Sequence, residues 1–357
     1  MQSWSDAATA DGPLHDIALG WLVSRLGRAA VRRALAASVS PAALLGHLQA
    51  RPEELQRFSD ELAVLGVSAL GVHANAPWPL ALAAIPDPPL VLFAAGQTRV
   101  LTQPVVAVVG ARQATRSGLL LAHEIGRELA GHGILVCSGL ARGIDAAAHR
   151  GALEAGATMA VLGGGIRRIY PAEHRSLARS VCAQGLLVSE YAPDLEPRPH
   201  HFPERNRLIS GFSAAVVVVE ASEKSGSLIT ARLALEQGRD VMAVPGSVRS
   251  RVSRGCHRLL RDGAALVESA RDILDALQLP GIIRPPPDSR PEVSAPAQPA
   301  DALGVDALLA ELDHEPQPLD LLVHRTGIPA HDLTLRLARL ELSGQVAQGA
   351  GGYVRLC

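Results

Sequence analysis

The feature that most constrains the fold is a rhythm between residues 105 and 244. Short, wholly apolar runs alternate there with longer segments of helical periodicity. The runs are Val105–Val109, Ile134–Cys137, Met159–Leu162, Leu186–Ser189, Val216–Val219 and Val241–Val244. A strand that is apolar at nearly every position is buried on both faces, as in a parallel sheet covered by helices on each side. Helices are expected between the runs, near 117–131, 144–155, 173–184, 204–211 and 227–238. Most of them stop at a glycine: Gly131 or Gly133, Gly156, Gly185 and Gly238. This alternation specifies an α/β class with a doubly wound, mostly parallel sheet.

The remainder of the chain divides around this Rossmann-like segment, taken as residues 90–280. Residues 1–75 read as helical: Leu14, Ile17, Leu19, Leu22, Val23 and Leu26 recur at helical spacing, and Leu44, Leu45 and Leu48 follow in a second helix. Residues 73–89 are rich in proline and read as a connector. Residues 281–302, rich in Pro, Ala and Ser, read as an extended linker. Residues 303–357 read as helices near 303–312, 318–325 and 330–342 followed by a hairpin, which is a winged-helix pattern. A chain of 357 residues has room for two or three such domains.

The formal net charge is -1, so attraction to a polyanion cannot rest on bulk charge and needs a local patch. Lys224 is the only lysine. Arginine suits bidentate phosphate contacts, and a GC-biased genome produces the same usage. The four cysteines, Cys137, Cys182, Cys256 and Cys357, form no CxxC pair and no Cys/His cluster, so no metal site is expected. No apolar run is long enough to span a bilayer and no signal pattern opens the chain, so a cytoplasmic protein without a membrane partner is expected.

In a doubly wound sheet, ligands bind where strands end and helices begin. The first such loop holds Gly110, Ala111 and Arg112, the second Gly139, Arg142, Gly143 and Asp145, and the third Gly163-Gly164-Gly165, Arg168 and Tyr170. The fourth holds Arg198, His200, His201, Phe202, Arg205, Asn206 and Arg207. The fifth holds Lys224, Ser225, Gly226 and Ser227, and the sixth Arg249, Arg251 and Arg254. Each of these loops carries a cation, and the loops at the opposite strand ends mostly do not. Glycine lets backbone N–H groups approach an anion, and helix N-termini point partial positive charge outward. The rim is therefore expected to hold several phosphates in a row.

Alternatives stay open at single residues. Gly163-Gly164-Gly165 is equally a plain tight turn. Arg142 and Asp145 either pair or cap a helix. Phe202 is a stacking platform or a core residue. Glu190 and Glu220 cap helices or orient arginines, and His149 reads as a packed or surface residue rather than a base. There is no Walker A lysine, no HxE…CxxC and no GxSxG, and the Gly110-Ala111-Arg112 turn lacks GxGxxG spacing. Neither catalysis nor a cofactor is expected.

At these residues the chain resembles the DprA/Smf family of DNA-processing proteins. The matching stretches are VAVVGARQATRSG, SGLARGIDAAAHRGAL, MAVLGGGIRRIYPAEHRSL, GLLVSEYAP, HHFPERNRLISGFSAAVVVVEASEKSGSLITARLALEQGRDVMAVPGS and GCHRLLRDGA, which cover most of 100–268. The N-terminal helices resemble that family's SAM-like domain and the tail its winged-helix domain. The resemblance implies that single-stranded DNA binds a basic pocket on the Rossmann-like domain. Arg112 lies at its centre, residues near His200 and His201 contribute, and Phe202 stacks on a base. It further implies protection of the strand, loading of a RecA-type recombinase during natural transformation, and a homodimer formed through the Rossmann-like domain. Ala111 stands where the family has serine, and His257 where it has asparagine; neither change removes a cation. The alternative is a Rossmann-like nucleotide phosphoribohydrolase. Such an enzyme would carry a PGGxGT turn and a catalytic glutamate, and Ser225–Thr230 occupies the comparable place without it.

Overall fold

The computed structural model describes residues 13–37, 39–71, 79–277, 308–309, 312, 316–349 and 352–356. Among them, nine strands form one sheet. They are β1 Val67–Gly71, β2 Val91–Gly96, β3 Val105–Val109, β4 Leu135–Ser138, β5 Thr158–Val161, β6 Leu186–Ser189, β7 Ala215–Val218, β8 Asp240–Ala243 and β9 Ala265–Leu266. The spatial order is β1-β2-β6-β5-β4-β3-β7-β8-β9. From β6 to β9 every pairing is parallel, whereas β1 and β2 join antiparallel at the β6 edge. The chain thus enters the sheet centre at β3, winds outward through β4, β5 and β6, and returns to the other side of β3 for β7 and β8. The winding reverses between β3 and β7, and the crevice of a doubly wound fold lies above their carboxyl ends.

The strands form because both faces are covered. All five residues of β3 are buried, and they alternate with the period of two that a pleated strand imposes. Val105, Ala107 and Val109 pack toward α9 (His201–Phe212), α10 (Gly226–Glu236) and α11 (Arg254–Arg261). Val106 and Val108 pack toward α6 (Arg116–Gly131), α7 (Ile144–Ala155) and α12 (Ala270–Leu277). The helix α8 (Arg175–Gln184) covers the β5–β6 side.

The N-terminal segment contributes α1 (Pro13–Leu26), α2 (Arg28–Ala36), α3 (Pro41–His47) and α4 (Pro52–Val64). Proline occupies the first turn of α3 and α4, where its missing N–H costs nothing. Trp21, Leu22, Val31, Leu55 and Leu62 share a core with Phe93 of β2, and Phe58 meets Phe93 edge-on at 6.3 Å. The segment is not purely helical as expected: its last residues form β1, which pairs with β2 and so extends the sheet. The short helix α5 (Leu80–Ala83) follows within the expected connector. Backbone contacts divide the chain into two compact units, Met1–Ile283 and Arg284–Cys357, so the helical segment and the sheet belong to one unit.

In the second unit, α13 (Leu319–Thr326) and α14 (Ala330–Leu342) precede a hairpin of β10 (Val346–Gly349) and β11 (Gly352–Arg355). Leu322, Ile328, Leu333, Leu337, Leu340, Val346 and Tyr353 form its core. The expected linker at 281–302 and most of the expected helix at 303–312 lie outside the described residues.

Candidate nucleic-acid interface

Four rim loops meet at a small pocket lined by Arg112, Gly139, Ala141, Arg142, Tyr170, Pro171 and Phe202. The guanidinium of Arg112 lies over the Phe202 ring, 5.7 Å from its centroid. The Tyr170 ring sits 5.4 Å from that of Phe202 at a tilt of 51°, and Tyr170 is half exposed. Among the described residues Arg112 has no carboxylate within ion-pair distance. It is an exposed cation beside two aromatic faces, the combination that recognises phosphate and base together. Phe202 is half-buried, and a Cβ on Gly163 would stand 2.8 Å from its ring. The glycine after β5 is therefore needed for the ring to lie down on the loop. The next two glycines face Pro197 and the Pro193 carbonyl just as closely. The three-glycine turn is thus a packing requirement that supports the aromatic shelf rather than an anion cradle.

The loop after β4 is held by groups beneath it. Leu140 is buried with φ at 57°, a left-handed conformation costing a β-carbon residue roughly 1–2 kcal/mol. Asp145, 6 % exposed, accepts from the N–H groups of Gly139 at 3.0 Å and Ala141 at 3.3 Å, one on each side of Leu140. His174 Nδ1 lies 2.8 Å from the Leu140 carbonyl. Below, the guanidinium of Arg205 donates to the carbonyls of Gly139 and Val161 and lies against the Cα of Gly139. Burial pushes the Asp145 carboxyl upward, and the Arg205 charge acts against that shift. Burial likewise lowers the Arg205 pKa, with Asp145 opposing.

A second carboxylate fills the crevice. Glu220, at the end of β7, accepts from Thr115 N–H at 2.9 Å and from Thr115 Oγ1 at 2.5 Å. Thr115 in turn caps α6 by accepting from Gly118 N–H. Glu220 therefore lies at the N-terminus of α6, where dinucleotide folds place a pyrophosphate, and a Cβ on Gly118 would stand 2.5 Å from its carboxyl carbon. The expectation that glycines and helix N-termini of these loops present free N–H groups to an anion is corrected here. Asp145 and Glu220 already take those donors after β4 and β3.

The rim is also less basic than its count of arginines suggests. Arg142 forms a fork with Glu173, at 2.6 and 2.8 Å, which holds the Glu173 carboxyl below its ordinary range. Arg168 meets Glu196 at 3.1 Å, and Arg167 meets Asp194 at 3.1 Å. Arg207 faces inward, paired with Glu190 and, at 3.0 Å, with Asp87. Arg28 and Arg32 of α2 join the same acids, tying the N-terminal helices to the end of β6.

The predicted residues therefore fall into groups. The pocket brings together Arg112, Gly139, Arg142, Tyr170 and Phe202. Ala111 is buried beneath it, and its carbonyl accepts from Ile144 N–H at the start of α7. Gly143 has φ at 73° against the Ala111 and Arg112 carbonyls. Gly110 abuts Ile144 and the Glu220 carbonyl. His201 is buried and stacked on Tyr191 at 4.2 Å, with burial lowering its pKa, while His200 is exposed beside it. Lys224 is exposed; Ser225 caps α10 through Ser227, and Asn206 Nδ2 reaches the Gly226 carbonyl at 3.4 Å. Arg205 and Arg207 do not face the rim. Sequence reasoning missed Glu173, which neutralises Arg142 on the rim, and Asp87, which pairs with inward-facing Arg207. His149 is fully buried, with Nδ1 2.7 Å from Thr158 Oγ1, and burial pushes its pKa down to about 3. It is a packed neutral residue, as read.

Comparisons with known proteins agree with this architecture. The family model described as DNA recombination-mediator protein A matches residues 70–278, and that of the DprA winged helix domain matches 291–352. Protein Smf of Escherichia coli is 43 % identical over 281 residues, covering 78 % of this chain and 75 % of that protein. The DNA processing protein DprA of Streptococcus pneumoniae is 43 % identical over 198 residues, covering 55 % and 70 %. Its X-ray structure superposes with a TM-score of 0.57 at 37 % identity, covering 63 % of this chain and 82 % of that one. A structure from Helicobacter pylori, which concerns the single-stranded DNA binding mode of that protein, superposes with a TM-score of 0.54 at 30 % identity, covering 59 % and 95 %.

Proposed function

The chain belongs to the DNA recombination-mediator protein A (DprA/Smf) family, and from that premise we propose that it binds single-stranded DNA across the carboxyl rim of its sheet and breaks no bond. The observation that carries this is the Arg112–Phe202–Tyr170 cluster: an exposed cation without a carboxylate partner among the described residues, laid over a shelf of two aromatic rings. The guanidinium meets a phosphate, and the rings offer a face to the adjoining base, whatever its identity. Arg142 adds a second cation where a phosphate competes with Glu173. Gly139 and Gly143 keep the pocket floor low, while Asp145 and Arg205 hold it from beneath. Lys224 and the start of α10 extend the site beyond β3.

The same geometry supports a reading without chemistry. A general base needs a carboxylate or imidazole free to take a proton. Asp145 and Glu220 are consumed by backbone and hydroxyl donors, and Glu190 is engaged by Arg207. Glu220 also fills the place where a dinucleotide fold holds a pyrophosphate, which supports a reading without a nucleotide cofactor. In this reading the protein shields incoming strands and hands them to a RecA-type recombinase in natural transformation. It works as a cytoplasmic homodimer joined through domain 90–280, beside a SAM-like domain at 1–75 and a winged helix at 303–357. Among the described residues no helix is long and apolar enough to cross a membrane.

The test is a titration of wild type and Arg112→Ala with single-stranded oligonucleotides, a nucleoside monophosphate and NAD. The oligonucleotide alone should bind tightly, with log K falling against log salt by about 0.7 per phosphate neutralised. Arg112→Ala should weaken binding to every sequence alike. Equal affinities for two folded proteins would remove Arg112 from the site, and preference for the monophosphate or NAD would restore the enzyme reading.

A further inference from the structure

The turn after β8 carries the longest acid-free run of arginines on the rim. Between Asp240 and Asp262 the chain carries Arg249, Arg251, Arg254, Arg258 and Arg261 and not one acid. Arg249, Arg251 and Arg254 are exposed, and among the described residues none of them has an ion-pair partner. This contrasts with the rim between β4 and β6, where Glu173, Asp194 and Glu196 neutralise Arg142, Arg167 and Arg168. An unpaired cluster of like charges is self-repelling and favours an anionic ligand.

The cluster is also built into the rim. Ala221 N–H donates to the Val252 carbonyl at 2.6 Å, and Gly255 N–H to the Ala221 carbonyl at 2.7 Å. These bonds clamp the arginine turn onto the loop after β7, which carries exposed Lys224. That loop is tied through Glu220 to Thr115, three residues after Arg112. Hydrogen bonds therefore link the Arg112 loop through the Lys224 loop to the arginine turn, and exposed Glu223 beside Lys224 is the acid that a strand would pass between them. From β5, whose loop bears Tyr170, to β8 there are four strand steps, or about 19 Å at ~4.8 Å each. An extended single strand laid along that distance carries several consecutive phosphates. No Phe, Trp or Tyr lies between Ser247 and Arg261, so this end of the track offers mainly charge.

We infer that the Arg249–Arg254 turn is a second, phosphate-only segment of the single-strand site, engaged by strands long enough to run past the Arg112–Phe202 pocket and over Lys224. This rests on the proposed single-strand reading of that pocket. A short oligonucleotide fills the aromatic end alone, and a longer one adds backbone contacts that are blind to sequence.

The experiment titrates wild type, Arg249→Ala/Arg251→Ala/Arg254→Ala and the corresponding triple Lys variant with oligothymidylates of three to sixteen nucleotides at several salt concentrations. All three positions are exposed, and matched thermal melts establish that the variants fold. For trinucleotides the Ala variant should match wild type. Beyond about six nucleotides its salt slope should fall by up to about 2, or 0.7 for each of three phosphates, while the Lys variant keeps most of the wild-type slope. A loss of equal size at every length, no loss at any length, or a Lys variant as impaired as the Ala variant would each overturn the inference. Wild type that binds no oligothymidylate of any length would instead overturn the single-strand reading beneath it.

Discussion

Arg205 was expected at the DNA but is buried beneath the rim loops after β4 and β5, so its removal should first cost stability. Arg205→Met keeps the aliphatic stem and deletes the guanidinium. The Gly139 and Val161 carbonyls lose a donor, and the buried Asp145 carboxylate loses its nearby cation. Breaking a buried charge pair from one side costs about 3–5 kcal/mol. The two backbone N–H donors that Asp145 retains place the expected loss near the lower end, about 3 kcal/mol. Urea unfolding at pH 7 followed by circular dichroism should show a lower midpoint with an unchanged slope. The pH dependence has a definite sign. Burial raises the folded pKa of Asp145 and Arg205 opposes this, so the variant raises it further. An acid with a raised folded pKa contributes stability below its unfolded value, ~3.9, and loses that contribution as pH rises through the folded value. The deficit of Arg205→Met should therefore be largest near neutrality and shrink on acidification. Adding Asp145→Asn should recover part of it, with a coupling of about 0.5–3 kcal/mol. A variant as stable as wild type, yet with weakened DNA binding and a reduced salt slope, would refute this reasoning and put Arg205 at the phosphates.

Phe202→Ala should lose roughly 1–3 kcal/mol of single-strand affinity with little change in salt slope, since stacking is not ionic; a lower melting temperature at unchanged affinity would make the ring a core residue only. A truncation ending at Leu279 should bind single strands nearly as well as the whole chain, because residues 303–357 carry seven acids (Asp306, Glu311, Asp313, Glu315, Asp320, Asp332 and Glu341) against four arginines; a tenfold loss, about 1.4 kcal/mol, would show that the winged helix touches DNA. His149, held neutral by burial with its pKa lowered to about 3, contributes stability above its unfolded value of ~6.5 that is lost as pH falls toward 3. His149→Gln should flatten the stability–pH curve across that window by up to about 1.4 kcal/mol per pH unit, and an unchanged curve would mean that the ring is already protonated or exposed.

The sheet's centre was legible because burial on both faces leaves an unmistakable pattern. β3 and β6 match their apolar runs to the residue, and β4, β5, β7 and β8 start one residue from theirs. The β1–β2 pair was not read. Val91-Leu92-Phe93-Ala94-Ala95 is as apolar and as buried as β3, but it follows a proline-rich stretch and pairs antiparallel, outside the strand–helix rhythm. The pocket's aromatic and glycine residues could be placed by topology, because parallel strands put their following loops on one rim. Charge could not be placed in the same way. Glu173 neutralises Arg142 from 31 residues away, a pairing set by tertiary packing. Arg205 did carry a local signal: His201, Arg205, Leu208, Ile209 and Phe212 recur at helical spacing, and all are buried. An arginine on the apolar stripe of a helix is aimed inward, whatever the charge of its loop.

The central claim is that a single strand lies over the Arg112–Phe202–Tyr170 pocket, and photocrosslinking addresses it without any mutation. A bromodeoxyuridine-substituted single-stranded oligonucleotide, irradiated in complex with the whole chain and digested for mass spectrometry, should crosslink to the peptides that contain Tyr170 and Phe202. Crosslinks confined to α14 and the β10–β11 hairpin, or to the opposite rim around Gly131–Gly133, would contradict it.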